Sequence, residues 1–304
     1  MLNNQQLEAR KAGLFSTDAA GAIGLSKYKT PVSVWLEKTG QTEPPDISGI
    51  EAVKMGNIME PVIARLYSEA VGTPIVYLGD QTRWHKSKKW MGSHYDYGLG
   101  DGSKLIEIKN FSTMRRKEFG ENGEGDVPVD VLIQCIHEAA VSGISAVDVA
   151  VLFGGQEFCI FPLVVDDAAI DRLVSLEEGF WENFVVPLVY PEPRTEEETR
   201  LLFKRDNGNS FPASNEVLTA VRQLRGVRDA IKSLEEKESE LKVMIQNDLA
   251  ECSTLIGHDG EILATWKKAK ASATFERKKF ADENPAMYAR YITTTEGSRR
   301  FLLK

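Results

Sequence analysis

The chain has 304 residues, 42% of them hydrophobic, and a formal net charge of −8. No apolar run approaches the roughly 20 residues of a membrane helix, and no apolar segment follows the first residues, so neither a membrane span nor a signal peptide is expected. The cysteines are Cys135, Cys159 and Cys252; an odd set with no C-x-x-C pair implies reduced thiols in a cytoplasm and argues against a zinc or iron–sulfur site held by cysteine.

The charge is uneven. Residues 1–204 hold 20 basic and 30 acidic side chains, whereas residues 205–304 hold 17 and 15. Basic residues also cluster at Arg83, Lys86, Lys88 and Lys89, in MRRK at 114–117, in WKKAK at 266–270 and in ERKK at 276–279. Such clusters are usually solvated surface. Binding follows local potential rather than net charge, so an acidic chain can still carry a groove for nucleic acid.

In chain order, KTPVSVWLEKTG at 29–40 predicts a helix capped by Thr30, with Pro31 at its first position and Gly40 after its end. Apolar residues at helical spacing from Glu51 to Gly72 predict a second helix, with a kink or restart at Pro61. TPIVYLG and QTRWH read as strands. SHYDYGLG and KLIEIKN read as a strand pair turning at Asp101-Gly102. A polar, glycine-rich loop runs from Phe111 to about Asp126, long enough to suggest function or disorder. Residues 129–142 form an apolar-stripe helix. AVDVAVLFGGQEFCIFPLVV is a hairpin turning at Gly154-Gly155, and 167–184 is a further helix. This order predicts an α/β core with a central mixed sheet flanked by helices.

The Pro- and acid-rich segment near 189–200 reads as a linker. It divides the chain into a domain at 1–190, a linker at 191–212 and a C-terminal region at 213–304. From Asn215 to Leu249 an apolar stripe with interspersed charge predicts a coiled-coil-like arm or a pair of helices. A small α+β region follows, with a hairpin at HDG (258–260) and a closing strand at SRRFLLK. No internal repeat is evident.

The chemistry centres on KLIEIKN. Glu107 and Lys109 lie two apart, so a strand projects both to one face. Asp96 lies eleven positions before Glu107, on the partner strand of the expected pair. Phosphodiester hydrolysis needs carboxylates to hold a divalent cation and a group to orient or activate water. Magnesium keeps several of its waters, so two or three carboxylates suffice. Glu60 is a further candidate. By itself a D-x(n)-E-x-K string is common by chance, and a half-buried strand with a wet polar face accounts for it.

The surrounding blocks are more specific. STDAAGAIGLSKYKTPVSVWLEKTG (16–40), KMGNIMEPVIARLY (54–67), MGSHYDYGL with LIEIKN (91–110) and VDVLIQCIHEAAVSG (129–143) occur in the order found in the YqaJ family of viral recombinases. That family is related to phage lambda exonuclease, of the PD-(D/E)xK superfamily. The resemblance covers about residues 10–165, and the C-terminal third resembles the extension found on some members. It departs at Tyr97, where a glycine is usual, at His94-Tyr95 for Ser-Pro, and at Ser16-Thr17-Asp18 for Gly-Ser-Asp.

The resemblance implies a magnesium-dependent exonuclease, with manganese able to substitute, that digests double-stranded DNA from 5′ ends. The product would be 3′ single strands for recombination of the phage type, which points to a phage or prophage origin. Asp96, Glu107 and the Ile108 carbonyl would bind metal, with Glu60 serving a second metal or its waters. Lys109 would be the catalytic lysine and Gln134 would position the nucleophile. Arg10 and Thr17 would bind a 5′-terminal phosphate. A single-strand annealing partner and a homo-oligomer, a trimer by analogy, are also implied.

Other readings of these residues remain. Asp18 is either a helix N-cap or a direct participant. His137, on an apolar helix face, reads as a hydrogen-bonded core residue. His94, beside the aspartate, is balanced between core and DNA contact. Arg115 and Arg116 follow the E-x-K strand, where DNA contact is somewhat favoured over plain loop charge. Two rival functions stand: a structure-specific or restriction-like endonuclease on the same fold, and a non-catalytic DNA-binding module.

Overall fold

In this computed structural model the described residues are 4–44, 46–295 and 297–304. They form two units, 1–202 and 203–304. The first begins with α1 (Asn4–Ala12), β1 (Leu14–Phe15), α2 (Ser16–Ala22), α3 (Pro31–Lys38) and α4 (Glu51–Val71). Strands β2 (Ile75–Tyr77), β3 (Arg83–Trp84), β4 (Met91–Ser93), β5 (Tyr97–Leu99) and β6 (Leu105–Phe111) follow. Then come α5 (Val129–Ser142), β7 (Ala146–Phe153), β8 (Glu157–Val164), α6 (Asp167–Phe180) and α7 (Glu196–Leu202).

Strands β2-β5-β6-β7-β8 form a mixed sheet in which only β6 and β7 run parallel. A smaller sheet has the order β1-β4-β3. The period-2 alternation of β6 and β7 assigns their two faces. Ile106, Ile108, Ala150 and Leu152 pack on Ile63, Ala64 and Tyr67 of α4. Leu105, Val147, Val149, Val151 and Phe153 pack with Val131, Cys135 and Ala139 of α5. The mixed sheet flanked by helices is therefore what the sequence predicts.

Several local expectations hold. Thr30 and Ser33 form a reciprocal capping box at the start of α3, and Gly40 adopts φ +69° after its end. The hairpin β7–β8 turns at Gly154 and Gly155, both at positive φ. Other expectations are corrected. The restart expected at Pro61 is absent: helix α4 runs through it for 21 residues, because its flanking apolar face packs along the sheet and outweighs one missing N–H. The loop after β6 contains a 3-10 helix at Thr113–Glu118. The first unit runs through Leu202: residues 196–202, read as linker from their acidity, form α7, whose Leu201 and Leu202 pack on the cluster of Val32, Trp35 and Phe180.

The second unit has α8 (Asn215–Leu249), β9 (Thr254–Ile256), β10 (Ile262–Thr265), α9 (Arg277–Glu283) and α10 (Pro285–Arg290). The arm is a single helix of 35 residues, not two. The hairpin at HDG is present, but 298–304 forms no strand. Among the described residues no helix is long and apolar enough to cross a membrane.

Candidate active site

Glu107 and Lys109 share the α5-facing side of β6, as their spacing requires. Glu107 is 3% exposed. Its Oε1 lies 2.5 Å from Lys109 Nζ and accepts from Gln134 Nε2 at 2.6 Å. Lys109 Nζ also donates to Gln134 Oε1 at 3.0 Å. Helix α5 thus brings Gln134 onto both strand residues.

Asp96 lies just before β5, where the β5–β6 ladder of Tyr97↔Ile106 ends. Its Oδ2 caps the next free donor, accepting from the Ile108 N–H at 2.9 Å. N–H and C=O of one strand residue point to the same edge, so the Ile108 carbonyl lies on the edge that carries Asp96. Glu60, half-buried on α4, is within electrostatic reach of Glu107 and Lys109.

The charges are unbalanced. Burial, reinforced by the Glu107 charge, pushes the Asp96 carboxyl well above the usual carboxylate range. Burial and then Glu107 raise Glu60 as well. Burial works against the Lys109 ammonium, but Glu107 and Asp96 outweigh it and raise its pKa. Among the described residues, Lys109 brings an ammonium to these carboxylates.

Among the described residues no three His, Cys, Asp or Glu side chains form a ready-made ion cage. Magnesium does not require one, since one or two carboxylates and several waters can hold it. The clustered hard oxygen donors of Asp96 and Glu107 fit such a cation.

A second cluster surrounds Phe15. Arg10 bonds to Thr17 Oγ1, and its guanidinium carbon lies 5.9 Å from the centre of the Phe15 ring. His94 stacks on the same ring at 4.9 Å and shares a 2.9 Å hydrogen bond with Thr82 Oγ1. Burial, helped by Arg10, pushes the His94 pKa down to about 4, so its ring is neutral at pH 7. Gly92 lies beneath, where a Cβ would approach Phe15 Cζ to 2.8 Å. Arg10, Thr17 and His94 are therefore brought together.

Asp18 is not an N-cap. It lies inside α2 and is 1% exposed. It pairs with Lys29 at 2.9 Å and with Lys38 at 2.6 Å, and Lys38 donates to the Arg10 carbonyl at 2.7 Å. His137 is the core histidine expected: its ring bonds Glu177 at 2.9 Å and the Gly92 carbonyl at 2.9 Å. Arg115 and Arg116 join neither cluster. Arg115 pairs with Asp130 at 3.1 Å and lies 4.2 Å over Phe111. Arg116 pairs with Glu157 at 2.7 Å and donates to the Gly120 carbonyl at 2.8 Å. Both guanidiniums thus help to hold the 111–126 segment.

Sequence reasoning missed Glu138, the Lys29–Asp18–Lys38 network and the Phe15 platform. Glu138 had a local signal, four residues after Gln134 on the same helix face. The other two depend on long-range packing that no spacing announces.

Residues 5–145 match the family model described as the YqaJ-like viral recombinase domain. The chain is also similar to YqaJ of Bacillus subtilis (strain 168), 25% identical over 311 residues, an alignment spanning 100% of this chain and 95% of that one.

Two solved structures resemble it in chain trace. One is the alkaline exonuclease LHK-Exo from Laribacter hongkongensis, at 15% identity and TM-score 0.49, over 62% of this chain and 94% of that one. The other is a phage-related exonuclease from Haemophilus somnus 129PT, at 12% identity and TM-score 0.44, over 58% and 96%. At that degree of overlap the likenesses carry no argument about chemistry.

Proposed function

We propose that this protein is a magnesium-dependent exonuclease acting on double-stranded DNA from 5′ ends, leaving 3′ single strands for an annealing partner in phage-type recombination. The observation that carries this reading is the convergence of Asp96, Glu107, Lys109 and Gln134 at one end of the β5–β6 ladder, within a YqaJ-like domain. Asp96, Glu107 and the Ile108 carbonyl would hold magnesium, with Glu60 serving a second ion or its waters. When bound, the metal supplies charge stabilisation for the attacking water and the leaving 3′-oxygen.

The chain's own groups do the rest. Lys109 places a fixed positive charge beside the scissile phosphate, where negative charge grows in the transition state. Gln134 holds Glu107 and Lys109 in register. Arg10 and Thr17 offer a guanidinium and a hydroxyl to a terminal 5′-phosphate, with neutral His94 beside them.

The test uses linear duplex labelled at either end and a covalently closed circle, each with and without magnesium. Loss of the 5′ label from linear duplex only, and only with magnesium, is expected. Cleavage of the closed circle would instead establish an endonuclease, and absence of any hydrolysis would leave a binding module.

A further inference from the structure

Glu138 is the deepest charged group near the site without an assigned role. It lies four residues after Gln134 on α5, so both project from one helix face. It is 1% exposed, and a carboxyl at that depth requires a hydrogen-bond partner. The partner is Gln134 Nε2, at 3.0 Å.

The same nitrogen donates to Glu107 Oε1 at 2.6 Å. A primary amide nitrogen carries two hydrogens, and its oxygen can only accept. With both hydrogens directed at carboxyl oxygens, the amide oxygen is left facing Lys109, whose Nζ donates to it at 3.0 Å. The reversed amide would set its oxygen against two carboxyls and its nitrogen against an ammonium. All three contacts would then oppose it. Glu107 alone satisfies one hydrogen; Glu138 satisfies the other.

We propose that Glu138 is a positioning residue that fixes the orientation of the Gln134 amide and, through it, the presentation of Glu107 and Lys109. This rests on the reading of the site as a nuclease. Burial, then the nearby Glu107 charge, pushes the Glu138 carboxyl well above the usual carboxylate range. Either protonation state leaves an oxygen free to accept from Gln134, so the function required of Glu138 is an acceptor rather than a charge.

The test compares wild type, Glu138→Gln, Glu138→Met, Gln134→Met and the Glu138→Met/Gln134→Met double variant. Glu138→Met is expected to lower kcat about tenfold or more with KM for duplex ends little changed, whereas Glu138→Gln, which keeps an acceptor, stays within about threefold of wild type. On the Gln134→Met background, Glu138→Met should cost less than about twofold more, because its effect passes through an amide already removed. Fully additive losses, or Glu138→Gln as impaired as Glu138→Met, would overturn the proposal.

A second readout needs no activity. In metal-free protein labelled with 15N-glutamine, the Gln134 side-chain amide, assigned by its loss in Gln134→Met, should show two resolved, slowly exchanging protons in wild type and Glu138→Gln. Wild-type protons that exchange as fast as those of free glutamine would sink the idea, even if Glu138→Met does not fold. Failure of wild type to hydrolyse DNA would overturn the functional reading, while the amide spectrum would still decide the geometry.

Discussion

Lys109 Nζ lies 2.5 Å from Glu107 Oε1, on the same face of β6 and two residues further along it. The strand itself makes this pair, because alternate residues share a face, and α5 closes over it. Glu107 is buried and Lys109 partly so, which weakens the screening of their charges. A uniformly apolar strand would pack this face without such a pair.

Lys109→Met should lower kcat on the order of 10²–10³-fold while changing DNA affinity much less, as expected for removal of a charge aimed at the transition state. Single-turnover rates and equilibrium binding separate the two effects. Equal losses in both would recast Lys109 as a phosphate contact.

Asp96→Asn and Glu107→Gln should each reduce magnesium-supported hydrolysis by at least about a hundredfold, with the fold and much of the DNA binding retained. Direct titration of magnesium by calorimetry should show weakened binding in both. Wild-type rates at saturating magnesium in either variant would remove that residue from the ion site.

Arg10→Ala should reduce digestion of 5′-phosphorylated duplex more than that of 5′-hydroxyl duplex, because only the former presents the dianion a guanidinium binds. The ratio of the two initial rates checks this. A ratio equal to wild type would detach the Phe15 cluster from end recognition.

His137 gives a pH signature in stability. Burial disfavours its charged ring, but the Glu177 carboxylate outweighs this and raises its pKa, with Asp18 adding in the same direction; His85 is the neighbouring base within reach. A raised folded pKa means that the pair's stabilisation is complete below the unfolded-state value of about 6.5 and is lost as pH rises through the folded one. The urea-stability advantage of wild type over His137→Gln should therefore shrink from neutral toward alkaline pH. An advantage that is flat across that range would contradict a charged pair.

Much of this was legible beforehand where the determinants are local. The capping box at Thr30, the Gly154-Gly155 turn and the shared face of Glu107 and Lys109 all follow from near-neighbour rules. What escaped depends on distant partners. Asp18 has the residue type and position of a helix-start residue, yet Lys29 and Lys38, from beyond the next turn of chain, convert it into a buried ion-pair hub. Arg115 and Arg116 follow the E-x-K strand, and nothing in their spacing announces that Asp130 and Glu157 are brought against them. Residues 196–202 are acidic enough to read as linker, and only Leu201 and Leu202 reveal the packing.

That last point sets the boundary for truncation. A chain ending at Leu202 should remain folded and active, since its core residues lie within the first unit. One ending at Pro191 loses α7 and should be less stable by ~2 kcal/mol, from re-exposure of two partly buried leucines and the surface they cover. Thermal melts of the two distinguish them. The full-length protein should show a steeper salt dependence of DNA binding than either, through Lys267, Lys268, Lys270, Lys278 and Lys279. Identical slopes would assign those lysines to another partner.

The parallel pairing of β6 with β7 also bears on the order in which the chain folds. Leu105 and Val147 are adjacent in the sheet but distant along the chain, and parallel neighbours cannot be joined by a tight turn. The entropy of closing that loop is lost before its contacts are gained, which slows the step. Helix α5, and with it Gln134, belongs to the segment that must close. On this argument the pairing of β6 with β7 and the contacts of Gln134 with Glu107 and Lys109 form in the same late step of folding.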